Sequence, residues 1–455
     1  MTAPERATHT SNAVLEVSLS EVLAALSHAL DLTEGQPLGH TIRSCLIGMR
    51  IADELSLCAA DRSALYYAIL LKDAGCSSNA ARMAALFGSD DRYVKPRMKL
   101  VDWHHRVGLA FQTAKHVGQG QSIFERVRHF MAIARTEGMT RDLIAVRCER
   151  GASIALQLGF PQATADAVRS LDEHWCGLGY PEGLCGDEIP LLARIANLSQ
   201  TLEAIHAQHG VEAALRVARE RRGSWFDPAL VDLVLGWRDD DPWWRELRAA
   251  DVRERLVAAE PVDEHRFIDD DDLDRISVAF ADIIDAKSPY TYRHSARVAG
   301  YAREIGAALG FDVDEQRRLY RAGLLHDIGK LGVSNTILDK AGKLDAAEWT
   351  AIQQHPKHTL SILSQVSAFG DFAWTAALHH EKLDGTGYPW HLKAKQLDES
   401  ARILTVVDIY DALTTDRPYR PGMSHEAAMA IIMKERGEKL CARVVDAMES
   451  ANEVM

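Results

Sequence analysis

The sequence lacks several features that would place it in common classes of protein. Its seven cysteines form no CxxC pair, which argues against a disulfide framework or a thiolate metal site and predicts reduced thiols in a cytoplasmic protein. The longest apolar run near the start, residues 64–71, is too short to span a membrane, and the first residues lack a signal-peptide pattern. Lysine and arginine number 52 against 65 aspartates and glutamates, so we do not expect general nucleic-acid binding.

Alternating runs of β-branched residues are also scarce, and apolar residues recur at helical spacing along most of the chain. We therefore predict an all-α fold of tandem helical bundles. At 455 residues the chain is long for one core, which favours two domains. The predicted division is a flexible N-terminus (1–20), a first domain (21–260), an acidic linker (261–275) and a second domain (276–455).

Local signals mark several helix ends. Asp227 before Pro228 is typical of a helix start, and Asp345 with Glu348 three residues later has the spacing of a capping box. Proline disfavours a helical residue before it, so we expect a helix to stop at His355, which precedes Pro356.

The chain repeats itself. Tyr180-Pro181 and Tyr388-Pro389 lie 208 residues apart in similar surroundings, whereas the segments around His40 and His294 lie 254 residues apart. The difference, 254 − 208 = 46 residues, is an insertion in the first copy. We interpret the protein as a tandem of one fold.

The copies differ in their polar residues. His40 and Asp73 of the first copy match His294 and Asp327 of the second. At the other positions the first copy carries a different residue type, and lysine, arginine and leucine cannot ligate a metal. These positions are Lys72 opposite His326, Cys76 opposite Lys330, Arg147 opposite His355, Leu171 and Asp172 opposite His379 and His380, and Gln200 opposite Asp408. The first copy is therefore expected to be degenerate.

The second copy carries a set of candidate metal ligands at predicted helix ends and faces. They are His294, His326, Asp327, His355, His379, His380 and Asp408. Singly, each histidine is more often a surface or turn residue, but a carboxylate in the apolar helix around Asp408 must be paired or ligate a metal if buried.

Five imidazoles and two carboxylates suit two borderline divalent ions, which excludes an all-oxygen calcium site. Asp327 could bridge both ions. Two such ions about 3.5–4 Å apart polarise a phosphoryl group and activate the water between them for attack. Lys330, shortly after Asp327, would neutralise the phosphate or protonate the leaving oxygen, although a lysine after a helix is often merely solvated.

These residues resemble the HD-GYP family of metal-dependent phosphodiesterases, a branch of the HD superfamily. The resemblance covers about residues 275–420 and rests on HSARV (294–298), HDIGKLG (326–332), the run I-L-x-K-x-G-x-L (337–344), HP (355–356), HHEKLDGTGYP (379–389), ARILTVVDIYDALT (401–414) and RPYR (417–420). It implies an all-helical fold and hydrolysis of cyclic di-GMP to pGpG or GMP.

The resemblance also implies residue roles and cofactors. The seven candidates become metal ligands, Asp327 and Lys330 are the expected catalytic residues, and Lys330, Tyr388, Arg417 and Arg420 are expected to contact the dinucleotide. Family members with a third metal carry glutamate where this chain has Tyr290, so we expect two ions, Fe or Mn, with Zn, Co or Ni as alternatives. Thr359 replaces the usual glycine, and Ser334 a common proline.

Two alternatives remain open at the level of sequence. The same ligands would serve a phosphohydrolase of another nucleotide, such as a different cyclic dinucleotide or an alarmone. A signalling adaptor with slow or no turnover is the other alternative. The first half is interpreted as a regulatory or dimerising unit, either a structural cap or an anion sensor lined by His40, Lys72, Asp73, Arg147 and Asp172.

Overall fold

Helices form nearly all the regular structure in the computed structural model of the chain, which describes residues 17–98, 101, 113–118, 121–135, 139–237, 241–261, 268–416 and 420–451. Within these ranges the β-structure is limited to isolated bridges, such as the one between Asp384 and Lys393. The predicted all-α fold is confirmed.

The first half contains thirteen α-helices in its described ranges. They are α1 (Leu19–Glu34), α2 (His40–Glu54), α3 (Ala59–Leu71), α4 (Ala80–Phe87), α5 (Asp91–Met98), α6 (Ile123–Arg135), α7 (Met139–Gln157), α8 (Gln162–Arg169), α9 (Leu191–His209), α10 (Val211–Glu220), α11 (Pro228–Leu235), α12 (Pro242–Glu246) and α13 (Val252–Ala258). Short 3₁₀ turns cover Cys76–Asn79 and Gly186–Glu188.

The second half continues with ten α-helices in the part that the structure describes. They are α14 (Asp270–Asp285), α15 (His294–Ala308), α16 (Val313–Leu325), α17 (Asn335–Leu338), α18 (Ala346–Ile352), α19 (His355–Leu363), α20 (Gly370–Ala377), α21 (Glu399–Thr414), α22 (His425–Glu435) and α23 (Ala442–Ala451). Further 3₁₀ turns cover Ile328–Gly332, Ser367–Phe369 and Ala394–Gln396.

The sequence signals for helix starts act as expected. The carboxylate of Asp227 accepts a hydrogen bond from the Ala229 N–H, and Asp345 accepts from the N–H groups of Ala347 and Glu348. These bonds satisfy amides of the first turn that have no partner within the helix. Asp269 caps α14 in the same way, so residues 270–275, assigned to the linker from the sequence, form its first turns.

His355 begins a helix, whereas the sequence predicted a helix stop there. The preceding helix, α18, ends at Ile352, and α19 starts at His355 with Pro356 in its first turn. Proline fits that position because the first amides of a helix donate no intrahelical bond. The expectation was therefore wrong about the element to which His355 belongs.

The two halves repeat the same packing. In the first half α2 packs against α3 and α9, and in the second half α15 packs against α16 and α21. Both α2 and α15 begin with histidine after a residue in the left-handed region, Gly39 (φ 80°) and Arg293 (φ 54°). The duplication inferred from sequence offsets thus extends to the backbone.

One continuous cluster of buried apolar side chains runs through both halves, from Val17 to Met448. Helix α1 of the first half packs on the 3₁₀ turn Ile328–Gly332 and on α19 of the second. The first half therefore supports the backbone around the candidate ligands. Among the described helices, none combines the length and the apolar composition needed to cross a lipid bilayer.

Candidate metal centre

The seven predicted ligands lie together inside the second half. They are placed as follows: His294 is the first residue of α15, His326 and Asp327 follow α16, His355 is the first residue of α19, His379 and His380 follow α20, and Asp408 lies within α21. All except His380 are at most 6% exposed, and the His380 side chain is 22% exposed. The structure thus brings together every ligand that the sequence predicted.

Asp327 lies between two pairs of imidazoles. Its Oδ2 atom is 3.4 Å from His294 Nε2 and 3.3 Å from His326 Nε2. Its Oδ1 atom is 3.5 Å from His355 Nε2 and 3.6 Å from His379 Nε2. The carboxylate therefore presents one oxygen to each pair, which is the arrangement of a bridging ligand.

The other two ligands complete the groups. Asp408 Oδ1 is 3.4 Å from His294 Nε2 and 3.7 Å from His326 Nε2, so it joins the first pair. Donor atoms of His355, His379 and His380 converge within 4.8 Å, which adds His380 to the second pair. Asp408 Oδ2 lies 3.7 Å from His380 Nδ1 and connects the two groups.

Four of the imidazoles are held through Nδ1, which leaves Nε2 for the centre. His326, His355 and His379 contact the carbonyl three residues earlier, at distances of 2.7, 2.6 and 2.7 Å. The Nδ1 of His294 instead contacts Asp411 Oδ2 at 2.6 Å. Such outer partners fix the tautomer and the ring orientation of metal-binding histidines.

Asp411, which sequence reasoning missed, anchors this outer layer. Its Oδ1 atom accepts a hydrogen bond from Arg297 Nε at 2.6 Å, so the carboxylate joins Arg297 to His294. The first half repeats the arrangement, with Glu203 between His40 and Arg43. Acids at equivalent positions 208 residues apart were the signal that could have identified Asp411.

The histidine pKa values differ between the group around His294 and His326 and the group of His355, His379 and His380. The carboxylates of Asp327 and Asp408 raise the pKa of His326 to about 9, although burial opposes this shift. Burial lowers the pKa of His379 to about 3, with neighbouring His326 contributing. The surrounding histidines and Lys330 hold the pKa of Asp327 well below its ordinary value despite burial. Both carboxylates of the centre are therefore ionised, as metal ligands must be.

The buried donor set fits divalent ions. Three atoms aimed into the centre, His294 Nε2, His326 Nε2 and Asp327 Oδ1, are fully buried and have no hydrogen-bond partner. Buried polar atoms normally have partners, and each unsatisfied atom is costly unless an ion satisfies it. Imidazole and carboxylate donors suit Mn, Fe, Co, Ni or Zn.

Thr359, which stands where glycine was expected, makes two hydrogen bonds beside the centre. Its hydroxyl donates to the His326 carbonyl at 2.8 Å and accepts from the Gly329 N–H at 3.1 Å. A Cβ on Gly329 would lie only 1.9 Å from the His355 carbonyl oxygen. Thr359, in place of the expected glycine, therefore strengthens the contact between the turn after Asp327 and α19.

The more accessible side of the centre is formed by Lys330, Tyr388 and Trp349. Lys330 Nζ contacts Asp327 Oδ2 at 2.5 Å, and its side chain is 20% exposed. The Tyr388 ring packs on that of His380, with centroids 4.6 Å apart. Trp349, which is 46% exposed and was not singled out in the sequence, meets Tyr388 edge to face at 5.8 Å.

Of the two arginines predicted to contact the dinucleotide, the structure describes Arg420. Arg420 donates to the carbonyls of Ala412 and Leu413 and so closes the C-terminal end of α21. It shares no hydrogen bond or ion pair with the seven ligands in the part of the chain that the structure describes. Arg417 lies outside the described residues.

The first half pairs its own charges at the equivalent place. Lys72 forms an ion pair with Asp73, and Arg147 with Asp172. The cations that were predicted to bind an anion therefore already have partners within the protein. Gly75 repeats the tight contact of Gly329, since its Cβ would lie 1.9 Å from the Arg147 carbonyl oxygen.

Comparison with known proteins identifies the family. The protein-family model of the HD domain matches residues 131–230 and 279–444. These ranges lie in both halves and together make up more than half of the chain. The chain belongs to the HD domain family. This family consists of metal-dependent phosphohydrolases, so the chain is an enzyme of that class, and the predicted HD-GYP resemblance is confirmed.

Relatives of this HD protein extend the comparison. The 3'3'-cGAMP-specific phosphodiesterase 3 of Vibrio cholerae is 45% identical over 415 residues, covering 91% of this chain and 90% of the relative. A crystal structure described as a cyclic GMP-AMP-specific phosphodiesterase of V. cholerae covers 96% of this chain and 98% of its own, with a TM-score of 0.67 and 38% identity. A cyclic di-GMP phosphodiesterase of V. cholerae is 39% identical over 142 residues, which are 30% of this chain and 29% of that relative.

Proposed function

We propose that the protein is a phosphodiesterase that opens a 3',3'-cyclic dinucleotide at a centre of two divalent ions. The observation that carries the proposal is Asp327, which presents one carboxylate oxygen to each of two imidazole groups. One ion would be held by His294, His326, Asp327 and Asp408, and the other by Asp327, His355, His379 and His380. Fe or Mn are the proposed ions.

When bound, such ions polarise a phosphoryl group and lower the pKa of water at the centre. The chain's own residues would place the substrate. Lys330 reaches the centre from its accessible side, where an ammonium neutralises phosphate charge or donates a proton to the leaving oxygen. Val406 and Val407 beside Asp408 in α21 are fully buried and would shield that carboxylate from bulk water.

We infer 3',3'-cGAMP as the preferred substrate, which revises the cyclic di-GMP expected from the sequence. The support is the V. cholerae phosphodiesterase whose likeness spans both halves of this chain. Relatives named for cyclic di-GMP match 30–44% of this chain. Cyclic di-GMP is therefore the second candidate, and both ligands carry purines that aromatic side chains such as Trp349 and Tyr388 can stack against.

The first half is proposed to be catalytically inactive, because lysine, arginine, leucine and glutamine replace the ligands there. Its ion pairs, Lys72 with Asp73 and Arg147 with Asp172, provide the positive charge that metals provide in the second half. This arrangement favours a structural role for the half over anion sensing.

A substrate panel tests the proposal. Protein purified without oxygen and loaded with Mn²⁺ or Fe²⁺ is incubated with 3',3'-cGAMP, cyclic di-GMP and an alarmone, and the products are separated by chromatography. We expect a linear dinucleotide from 3',3'-cGAMP at the highest kcat/KM, and no product with His326→Ala or Asp327→Ala. If loaded wild-type protein leaves both cyclic dinucleotides intact, the proposal is wrong, and turnover of the alarmone alone would assign another phosphohydrolase.

A further inference from the structure

A buried cluster of charges joins the first half to the catalytic half. It contains Glu34, Asp91 and Lys95 from the first half and Lys287 from the second, each at most 7% exposed. Lys95 Nζ is 3.2 Å from Glu34 Oε1 and 3.9 Å from Asp91 Oδ2. Lys287 Nζ approaches the same Asp91 oxygen to 3.2 Å. Two carboxylates thus balance two ammonium groups, with Asp91 between the two lysines.

The other oxygen of Asp91 holds backbone of the catalytic half. Oδ1 accepts a hydrogen bond from the Asn335 N–H at 2.9 Å, at the first residue of α17. The neighbouring Arg92 donates to the carbonyl of Gly332, the last residue of the 3₁₀ turn that carries Lys330. The first half therefore fixes the segment that follows Asp327 at two points.

Asn335 extends this support to the turn before His294. Its Nδ2 donates to the Lys287 carbonyl at 2.7 Å and to Asp339 Oδ2 at 2.7 Å. Asp339 Oδ1 in turn accepts from the Ser288 hydroxyl at 2.5 Å. Lys287 and Ser288 begin the turn that leads to His294, so one buried acid reaches both segments flanking the proposed first ion.

We propose that Asp91 is a positioning residue for the metal centre, supplied to the second half by the first. The inference rests on the proposed metal centre. Without the Asp91 carboxylate, the Lys287 ammonium and the Asn335 N–H would be buried without partners. Relief of that penalty requires the segment after Asp327 and the turn before His294 to shift, which separates the ligands around Asp327 Oδ2.

Asp91 belongs to a part of the first half that is longer than the corresponding part of the second half. It lies between Gly75 and Arg147, in the stretch that is 46 residues longer than its counterpart in the second half. This longer stretch thus contributes to the centre, although it carries none of the seven predicted ligands.

A matched contact between the halves provides the control. Arg253 of α13 donates to the side-chain and backbone oxygens of Gln365 at 2.7 and 2.9 Å. Gln365 follows the end of α19, about three helical turns from the predicted ligand at its start. Arg253→Ala therefore loosens the docking of the halves without touching the segments that Asp91 holds.

The test is Mn²⁺ binding by the full-length protein. Metal-free wild type, Asp91→Ala, Asp91→Asn and Arg253→Ala are titrated with Mn²⁺, and free Mn²⁺ is followed by electron paramagnetic resonance. Loss of an outer partner of a metal site weakens affinity by about 10–100-fold, and we expect about tenfold weaker binding in Asp91→Ala. Asp91→Asn, which keeps an acceptor but loses the charge, is expected to weaken binding less, and Arg253→Ala to match wild type.

Equal Mn²⁺ affinity in wild type and both Asp91 variants would overturn the inference, as would an equal loss in Arg253→Ala. If Asp91→Ala does not fold, the comparison of Asp91→Asn with Arg253→Ala decides. Failure of the wild type to bind Mn²⁺ would instead overturn the metal centre itself, so the two failures are distinguishable.

Discussion

At the scale of single residues, the centre depends on side chains that touch no reacting group. Asp411 illustrates this, because its Oδ2 contacts Nδ1 of His294 while both of its oxygens accept hydrogen bonds from the guanidinium of Arg297. It is at most 1% exposed, so its charge is balanced by these two partners rather than by water. Its loss should release the His294 ring and leave Arg297 without its acid.

Replacement of Asp411 by alanine is therefore expected to weaken Mn²⁺ affinity and lower kcat/KM by about 10–100-fold. The matched control is Asp446→Ala, which removes an acid paired with Arg436 in the same two-pronged way on the exposed surface of α23. Titration with Mn²⁺ and turnover of 3',3'-cGAMP provide the two readouts. If both variants bind metal like wild type, Asp411 has no part in ordering the ligand.

The exposed ring of Trp349 is proposed to stack on a base of the substrate. Stacking of a base on an aromatic side chain contributes about 1–3 kcal/mol, so Trp349→Ala is expected to raise KM for a cyclic dinucleotide by about tenfold. Mn²⁺ affinity should not change, because Trp349 contacts Tyr388 and none of the ligands. Steady-state kinetics compare it with Trp349→Phe, which should recover most of the loss, and with Phe124→Ala, an exposed aromatic of the first half. A normal KM in Trp349→Ala would exclude the tryptophan from substrate binding.

At the scale of elements, the close approach of the 3₁₀ turn to α19 sets the position of His355. Gly329 has no room for a Cβ there, since the His355 carbonyl oxygen would be 1.9 Å away. Gly300 in α15 is the opposite case, because beyond its own stretch of helix no atom lies within 4 Å of its Cβ position.

Gly329→Ala is accordingly expected to push α19 from the turn and reduce metal binding and activity by at least tenfold, because ligand geometry tolerates little displacement. Gly300→Ala should leave both unchanged and stabilise the protein by up to about 1 kcal/mol, since alanine favours a helix. Mn²⁺ titration and thermal unfolding measure these effects. Unaltered binding in Gly329→Ala would show that the contact does not position the ligand.

The sequence predicted the existence of most helices better than their ends. Capping residues such as Asp227 and Asp345 act locally, so their effects could be predicted without knowing the tertiary structure. His355-Pro356 was ambiguous because proline is compatible with both the end and the first turn of a helix. Packing of α19 against the turn at Gly329 resolves that ambiguity, and no local pattern encodes it.

At the scale of the whole molecule, duplication could be predicted but docking could not. The offsets between motifs identified two copies, and the seven predicted ligands of the second copy lie close together. A structural cap over the catalytic half was one interpretation of the first half, but the sequence did not indicate which residues meet, such as Asp91 of the first copy and Asn335 of the second. Such contacts depend on which surfaces meet, and the distant segments involved carry no common motif.

The shared core predicts that the halves depend on each other. Residues 268–455 expressed alone would expose the apolar surface that α1 covers at the turn Ile328–Gly332 and at α19. We expect this fragment to aggregate or unfold at a lower temperature than the full chain, and co-expression of residues 1–267 to restore folded protein. Thermal unfolding and size-exclusion chromatography measure this, and a stable, fully active fragment would refute the dependence.

The central claim is that Asp327 lies between two metal ions. Anomalous diffraction from crystals of Mn²⁺-loaded protein tests it most directly, because it locates each ion independently of activity. If Asp327 bridges two ions, one peak will lie among His294, His326, Asp327 and Asp408 and a second among Asp327, His355, His379 and His380. No peak at this centre, or a single peak not in contact with Asp327, would contradict it.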